Sequence, residues 1–282
     1  MSLFSFGLFA DVQFADVDDD GSRRYRASID FLTTAVADFN ATKPSFVVNL
    51  GDIIEGRDAE REWEVVDAVL QQLQVPLRNV IGNHCLRLPR ERLQRCLNLA
   101  KPYFAFEVDA TRTFIILDSQ DLSLRGTEAE TPARAQSEEM LASLRATGAA
   151  NAVDWNGGFS AEQLRWLSEQ LGAAAAARRR AILFAHIPVL RAATSERHLL
   201  WNSDDVLLVL RQHSAVVEAF FCGHFHPGGY GVADGVHHVT LDGIVEAPVT
   251  AAACHAYVDV YEDRIELRGA AGSTIVARTL TK

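Results

Sequence analysis

The run Phe46-Val47-Val48-Asn49-Leu50-Gly51-Asp52 is the strongest indication of the fold of this chain. A mostly apolar run of five residues is typical of a buried strand, and the glycine after it allows a tight turn out of that strand. A carboxylate then stands directly at the strand end. Because ligand sites in open α/β sheets form at the carboxyl ends of strands, the stretch predicts a buried strand that presents Asp52 to such a site.

Apolar runs of the same kind lie on both sides of this stretch, and helical patterns separate them. Residues 4–10 come before it and residues 77–81 after it. Residues 25–40 place apolar side chains on one helical face, and residues 59–73 are also interpreted as a helix. Strands that alternate with helices predict βαβ units and a largely parallel sheet.

The rest of the chain divides into a polar middle and a strand-rich end. We interpret residues 119–158 as a surface excursion or cap on a single domain that spans residues 1–282. Ser160 and Gln163 fit a capping box that opens a helix running to about residue 177. The C-terminal third carries several further strand patterns, which predict a second sheet.

The composition limits the classes of partner. Hydrophobic residues make up 48% of the 282 residues, which is ample for a core, and the net charge of −10 argues against non-specific nucleic-acid binding. An anionic substrate stays possible, because bound metal ions can reverse the local field. No CxxC pair, secretion signal or membrane-length apolar run is evident, so we expect a soluble, cytoplasmic protein that contacts no membrane.

Four further clusters share the position of Asp52 after an apolar strand. They are Asp11-Val12-Gln13, Gly82-Asn83-His84, Ala185-His186 and Gly223-His224-Phe225-His226. Each cluster alone is a weak signal, since Gly-Asp is common in turns and a buried histidine is usually hydrogen-bonded to its neighbours. Together they offer oxygen and imidazole donors without a thiolate, a set that suits Mn²⁺, Fe or Zn²⁺. Two ions roughly 3.5–4 Å apart can clamp a phosphoryl group and activate water near neutral pH.

The order D-x-[H/Q], G-D, G-N-H, H, G-H-x-H resembles the calcineurin-like metallophosphoesterase superfamily over residues 11–226. The resemblance implies an α/β fold, a four-layer αββα sandwich of two mixed β-sheets, with a dinuclear metal site. It also implies that one metal is held by Asp11, Gln13, Asp52 and His226, and the other by Asp52, Asn83, His186 and His224. In the family pattern, Asp52 bridges the ions, and His84 contacts the phosphate and assists the leaving group.

A narrower resemblance rests on Gln13, which stands where the commoner form has histidine. A neutral oxygen donor favours Mn²⁺ or Mg²⁺ over Zn²⁺. Three stretches resemble the manganese-dependent ADP-ribose/CDP-alcohol diphosphatases: Asp11-Val12-Gln13-Phe14-Ala15-Asp16, Trp155-Asn156-Gly157-Gly158-Phe159-Ser160 and Gly223-His224-Phe225-His226-Pro227-Gly228-Gly229-Tyr230. This resemblance implies hydrolysis of the pyrophosphate bond in nucleoside diphosphate derivatives, which gives two phosphomonoesters.

Contacts with the substrate are left open by the sequence. Phe159, Trp155 and Tyr230 could stack on a nucleobase, or could pack against the core as aromatic residues commonly do. Arg87 could reach a second phosphate through paired hydrogen bonds, or could form a surface salt bridge. Asn83 is expected beside the phosphate as well as on a metal.

We therefore expect a dinuclear metallohydrolase that acts on a small nucleotide derivative. A cyclic-nucleotide phosphodiesterase or a phosphomonoesterase on the same site is the first alternative. A non-catalytic scaffold with a decayed metal site is the second, and the complete ligand set disfavours it.

Overall fold

The computed structural model describes residues 2–126 and 129–281, and its elements alternate as the sequence predicts over the first third of the chain. The strands are β1 (Phe4–Phe9), β2 (Val47–Asn49), β3 (Leu77–Asn79), β4 (Phe104–Glu107), β5 (Arg112–Ile116), β6 (Leu122–Ser123), β7 (Gly157–Gly158), β8 (Arg180–Phe184), β9 (Val217–Cys222), β10 (Gly229–Ala233), β11 (Val236–Thr240), β12 (Ala256–Val260), β13 (Arg264–Gly269) and β14 (Arg278–Thr281). The helices are α1 (Ser28–Thr42), α2 (Ala59–Leu70), α3 (Arg90–Cys96), α4 (Pro132–Ala146), α5 (Ala161–Ala176) and α6 (Ser203–Gln212).

Two six-stranded mixed sheets form the centre of the fold. The first has the order β14-β13-β12-β1-β2-β3, and the second has the order β10-β11-β9-β8-β5-β4. The strands β1, β2 and β3 run parallel to one another, as do β5, β8, β9 and β11. The parallel cores therefore bring the carboxyl ends of β1, β2, β8 and β9 to one side of the molecule, which is where a site is expected.

The C-terminal strands do not build a sheet of their own, in contrast to the expectation from the sequence. The strand β12 pairs antiparallel with β1, in a register that places Phe4 opposite Val260, and β13 and β14 extend that edge. The strands β10 and β11 instead extend the second sheet. Strand patterns along the chain cannot distinguish these arrangements, because an antiparallel strand joins whichever sheet edge is free.

The apolar clusters show a four-layer αββα sandwich. Phe6 and Leu8 on β1 point into the layer between the two sheets, whereas Phe9 joins the cluster beneath α1, α2 and α3. A third cluster packs α5 and α6 on the outer face of the second sheet. Phe6 stacks on Phe46 at 5.0 Å between ring centroids and meets the edge of Phe114 at 5.8 Å. Truncating such a ring to alanine costs about 3–5 kcal/mol, so this layer fixes the spacing of the sheets.

The start of α5 confirms only half of the predicted capping box. The Gln163 N–H donates to the Ser160 hydroxyl at 3.1 Å, as an N-cap requires. The Gln163 side chain does not return to the Ser160 backbone; its amide accepts from the Asp118 N–H at 2.8 Å and donates to the Asp118 carbonyl at 2.9 Å. The Ser160 N–H donates to Asp121 instead. Gln163 thus ties the helix to the segment that follows β5.

The excursion at residues 119–158 holds a two-stranded ribbon and a helix. The strands β6 and β7 pair antiparallel, and Thr131 caps α4. Arg90 on α3 binds the start of the excursion, donating to the Asp118 carboxylate at 2.7 Å and to the Gln120 carbonyl at 2.6 Å. Across the described part of the chain, no helix has both the length and the apolar character to cross a bilayer.

Candidate metal centre

The backbone of the predicted ligands is unusual. Asp11, Gln13, Asp52 and His224 all have positive φ angles, between 41° and 69°. Non-glycine residues seldom adopt this conformation, which costs of order 1–3 kcal/mol at each position. Such strain persists only where the surrounding structure imposes it, and it is concentrated at functional sites. Three strand-end turns, which follow β1, β2 and β9, are therefore held in an unfavourable shape around one point.

Two glycines allow the chain to pass very close to the buried carboxylates. A Cβ atom on Gly82 would lie 2.1 Å from Asp52 Oδ1, and one on Gly223 would lie 2.5 Å from Asp11 Oδ2. The turns that carry these glycines also donate backbone hydrogen bonds to the same two side chains. The His84 N–H donates to Asp52 at 2.8 Å, and the His224 N–H donates to Asp11 at 2.9 Å. Both carboxylates are therefore oriented by backbone that only glycine permits at that distance.

One group of ligand atoms lies around His186. Its Nε2 atom is 3.0 Å from Asp52 Oδ2, 3.2 Å from Asn83 Oδ1 and 3.2 Å from His224 Nδ1. One ligand atom each from Asp52, His186 and His224 lies within 4.8 Å of the others, and all three residues are buried. A carboxylate, an amide oxygen and two imidazoles in this arrangement could hold one divalent cation.

A second group shares Asp52 with the first. Gln13 Nε2 lies 3.4 Å from Asp52 Oδ2 and 3.2 Å from His226 Nε2, and His226 Nε2 lies 3.6 Å from Asp11 Oδ1. Asp11 Oδ1 and Gln13 Oε1 are buried and accept no hydrogen bond within the described residues. Buried oxygen atoms without a donor are rare in folded proteins. These two acceptors fit a cation, so the residues present suit a second metal ion.

Burial and neighbouring charges shift the pKa values of the histidines in both groups. Burial opposes charging of His186, but the negative charge of the neighbouring Asp52 outweighs this effect and raises the pKa of His186 to about 9. Burial likewise opposes charging of His226, while the nearby carboxylates of Asp11 and Glu246 raise its pKa to about 9. Burial and the nearby His186 lower the pKa of His224, which keeps this imidazole in the neutral form that binds metal.

Side chains outside the ligand groups fix the orientation of each imidazole. His186 Nδ1 lies 2.9 Å from the Leu50 carbonyl, and His226 Nδ1 lies 2.9 Å from Glu246 Oε1. His224 Nε2 lies 3.0 Å from Asn156 Oδ1. A histidine ligand commonly has such a partner on its other nitrogen, which sets the tautomer. Glu246 and Asn156 have no assigned role from the sequence, although Asn156 stands within one of the quoted motifs.

His84 lies at the edge of the ligand groups rather than inside them. Its Nδ1 atom is 3.0 Å from Glu55 Oε2, and its side chain keeps 20% of its surface exposed. Burial opposes charging of His84, but the carboxylates of Asp52 and Glu55 raise its pKa. The imidazole therefore faces an accessible space beside Asp52. Glu55, which orients it, is a further residue that the sequence did not single out.

A cavity of about 260 Å³ opens above these residues. Its wall combines predicted ligands with cationic and aromatic side chains: Gln13, Arg23, Asp52, Asn83, His84, Arg125, Trp155, His198, His224 and His226. Another cavity of about 330 Å³ lies beside β3 and contains none of the predicted ligands. The smaller cavity is thus the one lined by predicted metal ligands. Its wall residues Arg23, Arg125 and His198 were not found from the sequence.

Three predicted substrate contacts do not lie in the cavity wall. Phe159 is 1% exposed in the cluster beneath α5, so its ring packs against the core. Arg87 is exposed on a short 3₁₀ turn, with the aliphatic part of its side chain against Gly56. The Tyr230 hydroxyl lies 2.8 Å from His237 Nδ1, and Arg278 stacks on its ring. These positions give the three residues no support as substrate contacts, whereas Asn83 and Trp155 do face the cavity.

Comparisons with known proteins agree with this geometry. Residues 4–228 match the calcineurin-like phosphoesterase family, which uses a dinuclear metal site. A relative from Oryza sativa subsp. japonica is 35% identical over 294 residues, covering 95% of this chain and 91% of the relative. A relative from Homo sapiens is 35% identical over 311 residues, covering 95% and 90%. Both are named manganese-dependent ADP-ribose/CDP-alcohol diphosphatase.

A crystal structure of a dimetal phosphatase from Danio rerio has the same fold. It superposes with a TM-score of 0.92 at 32% identity, covering 100% of this chain and 99% of that one. The match extends through both sheets and therefore includes every strand end that carries a predicted ligand. By sequence and by structure, this chain belongs to the calcineurin-like phosphoesterase family and is a hydrolase.

Proposed function

We propose that this chain hydrolyses the pyrophosphate bond of nucleoside diphosphate derivatives, such as ADP-ribose and CDP-alcohols, with two manganese ions. The observation that carries the proposal is the cavity above Asp52. It joins two metal-ligand groups to two guanidinium groups, Arg23 and Arg125, and to the indole of Trp155. Two phosphates and one base are the groups that such a wall suits. The names of the relatives agree with this substrate class.

The proposed ligands follow the two groups described above. Asp11, Gln13, Asp52 and His226 would hold one ion, and Asp52, Asn83, His186 and His224 would hold the other. Asp52 belongs to both sets, and its distances to Gln13 and His186 support that role. The neutral oxygen of Gln13 makes the first set harder than the same set with histidine at that position, which favours manganese over zinc. When bound, such ions activate water and stabilise charge on a phosphoryl group.

The protein groups around the ions have distinct tasks. His84 faces the cavity from outside the ligand groups and is oriented by Glu55, so it can donate a proton or a hydrogen bond to the departing oxygen. The His84 backbone N–H holds Asp52 in place. Trp155 lies in the wall with its ring centroid 5.2 Å from that of His224, where it can cover a base and exclude water.

The broader setting is proposed on composition and packing. We place all 282 residues in one domain, with residues 119–158 as a cap, because the central apolar cluster contains residues from the strands of both sheets. The net charge of −10 disfavours nucleic acid as a partner. The four cysteines are free thiols, which suits a reducing compartment such as the cytoplasm.

Product analysis tests the reaction. The purified protein is incubated with ADP-ribose, CDP-choline and bis(p-nitrophenyl) phosphate at matched concentrations of Mn²⁺, Mg²⁺ or Zn²⁺, and again after chelation. We expect Mn²⁺ to support cleavage of ADP-ribose to AMP and ribose 5-phosphate, and of CDP-choline to CMP and phosphocholine. Asp52→Ala, purified in parallel, controls for contaminating hydrolases.

The alternatives predict other products. Cleavage of the artificial diester and of a cyclic nucleotide, with ADP-ribose left intact, would support a phosphodiesterase. Release of inorganic phosphate from AMP would support a phosphomonoesterase. Either result would contradict the diphosphatase proposal while leaving the family assignment unchanged.

A further inference from the structure

Arg125 presents a cation to the cavity, and no carboxylate among the described residues pairs with it. It lies in the same wall as Asp52 and His84, just after β6 in the excursion. Within residues 2–126 and 129–281, its guanidinium forms no ion pair. Arg23, the other guanidinium of the wall, has its Nε atom 3.6 Å from Glu246 Oε1. Judged on the described residues, Arg125 is therefore the guanidinium of the wall whose donors remain available to an anion.

The backbone around Arg125 is fixed at three consecutive residues. The Arg125 N–H donates to the Ser123 hydroxyl at 3.0 Å. The Leu124 carbonyl accepts from Arg134 at 2.9 Å, and the Gly126 carbonyl accepts from Arg90 at 3.4 Å. A side chain on an anchored backbone loses less freedom on binding than one on a free loop, so its hydrogen bonds contribute more to affinity.

The turn at residues 124–126 packs against the turn that follows Asn83 and His84, and this contact also limits where Arg125 can lie. A Cβ atom on Gly126, whose φ is +70°, would lie 2.6 Å from Leu86 Cδ2. Leu86 follows His84 by two residues, so the two turns pack directly against each other. Burial lowers the pKa of Arg125, and the charge of Arg87 lowers it further. A half-buried guanidinium still carries its charge, and it is best satisfied by a bidentate anion such as a phosphate.

We propose that Arg125 is a specificity-determining residue that binds the second phosphate of the substrate, the one that is not attacked. The inference rests on the proposed function, since a diphosphate can place one phosphate at the metal centre and the other at this guanidinium. Asp52 and His84 mark the place of the attacked phosphate, and Arg125 stands in the same cavity wall. The residue thereby makes the site prefer diphosphate compounds to compounds with one phosphate.

Calorimetric binding tests this inference without requiring turnover. The manganese-loaded protein is titrated with α,β-methylene-ADP, which has two phosphates and cannot be cleaved between them, and with AMP, which has one. We expect Arg125→Met to weaken binding of the methylene compound about 10- to 100-fold, as loss of a charged hydrogen-bond pair does. Binding of AMP should change less than about threefold. Arg125→Lys keeps the charge without the planar fork and should recover part of the loss.

Arg145→Met is the matched control, because Arg145 is exposed on α4 in the same excursion. It removes the same charge and should leave both affinities unchanged. Equal weakening of both ligands by Arg125→Met, or no weakening of the methylene compound, would overturn the inference. Turnover of ADP-ribose by the wild type reports separately on the proposed function. A selective binding loss in a protein that does not cleave ADP-ribose would keep the second-phosphate site and reject the proposed reaction.

Discussion

Gly82→Ala is expected to disable the metal centre through a single methyl group. The new Cβ atom would lie 2.1 Å from Asp52 Oδ1 and 2.2 Å from the Asp52 nitrogen, whereas ordinary contacts begin near 3.4 Å. Gly82 does not have a positive φ, so the backbone itself can accept alanine. The clash must therefore be relieved by moving the carboxylate or the turn by more than 1 Å.

The size of the effect follows from that displacement. A misplacement of about 1 Å in a catalytic arrangement lowers the rate roughly 100-fold. Overpacking of a tight interior also destabilises a fold by about 1–3 kcal/mol. We expect Gly82→Ala to lower kcat with Mn²⁺ by about two orders of magnitude and to reduce the bound metal, because Asp52 belongs to both ligand groups. Steady-state kinetics, metal analysis by mass spectrometry and urea unfolding measure the three quantities.

The same substitution elsewhere in the chain provides the control. Gly172 lies in α5, and a Cβ atom there would meet nothing within 4 Å. Gly172→Ala should leave kcat and metal content unchanged and should stabilise the fold by up to about 1 kcal/mol, because alanine is the better helix former. Full activity and full metal content in Gly82→Ala would refute the reasoning, since the turn would then have room that the structure does not show.

Three further predictions concern single side chains. Asp52→Ala should abolish turnover and lose bound Mn²⁺ by mass spectrometry; a metal-replete variant with the wild-type rate would exclude a shared ligand. His84→Ala should retain its metal but slow turnover about 10²- to 10⁴-fold, and loss of metal would instead make His84 a ligand. Burial lowers the pKa of His238, 3% exposed on β11, to about 4. The unfolded chain binds a proton at His238 near pH 6.5, whereas the folded protein resists protonation until about pH 4. The free energy of unfolding of the wild type should therefore fall by up to about 3 kcal/mol as the pH falls from 6.5 to 4. Urea unfolding of His238→Leu should lack that loss, and an unchanged pH dependence would contradict it.

The metal ligands could be predicted from the sequence because each lies within a few residues of its own strand. Asp11, Asp52, His186 and His224 follow β1, β2, β8 and β9 at short distances along the chain. An apolar run marks a strand, and parallel strands of one sheet end on the same side, so local patterns predict that the side chains converge within each sheet. The meeting of the two sheets, which brings His186 Nε2 within 3.0 Å of Asp52 Oδ2, came from the structure. The positive φ angles and the close approach of Gly82 to Asp52 became visible only in the structure.

The cationic wall could not be predicted, and Arg87 and Arg125 show why. Arg87 is one candidate from the sequence because it follows His84 closely along the chain, with a surface salt bridge as the alternative. A 3₁₀ turn at Cys85–Arg87 instead leaves it exposed. Arg125 is distant in sequence, and it reaches the cavity because Arg90 and Arg134 bind the backbone on either side of it.

Neighbouring residues were enough to predict the strand ends, the starts of α2 and α5 and the kind of atoms offered to a metal, whereas the helix expected at residues 25–40 begins at Ser28. Only the tertiary structure decided which side chains surround those atoms. Glu246 reaches His226 after the chain has passed through β10 and β11, and Asn156 reaches His224 from the far end of the excursion. The direction of such side chains depends on turn geometry and on how loops pack against one another, which are long-range contacts that local sequence patterns do not encode.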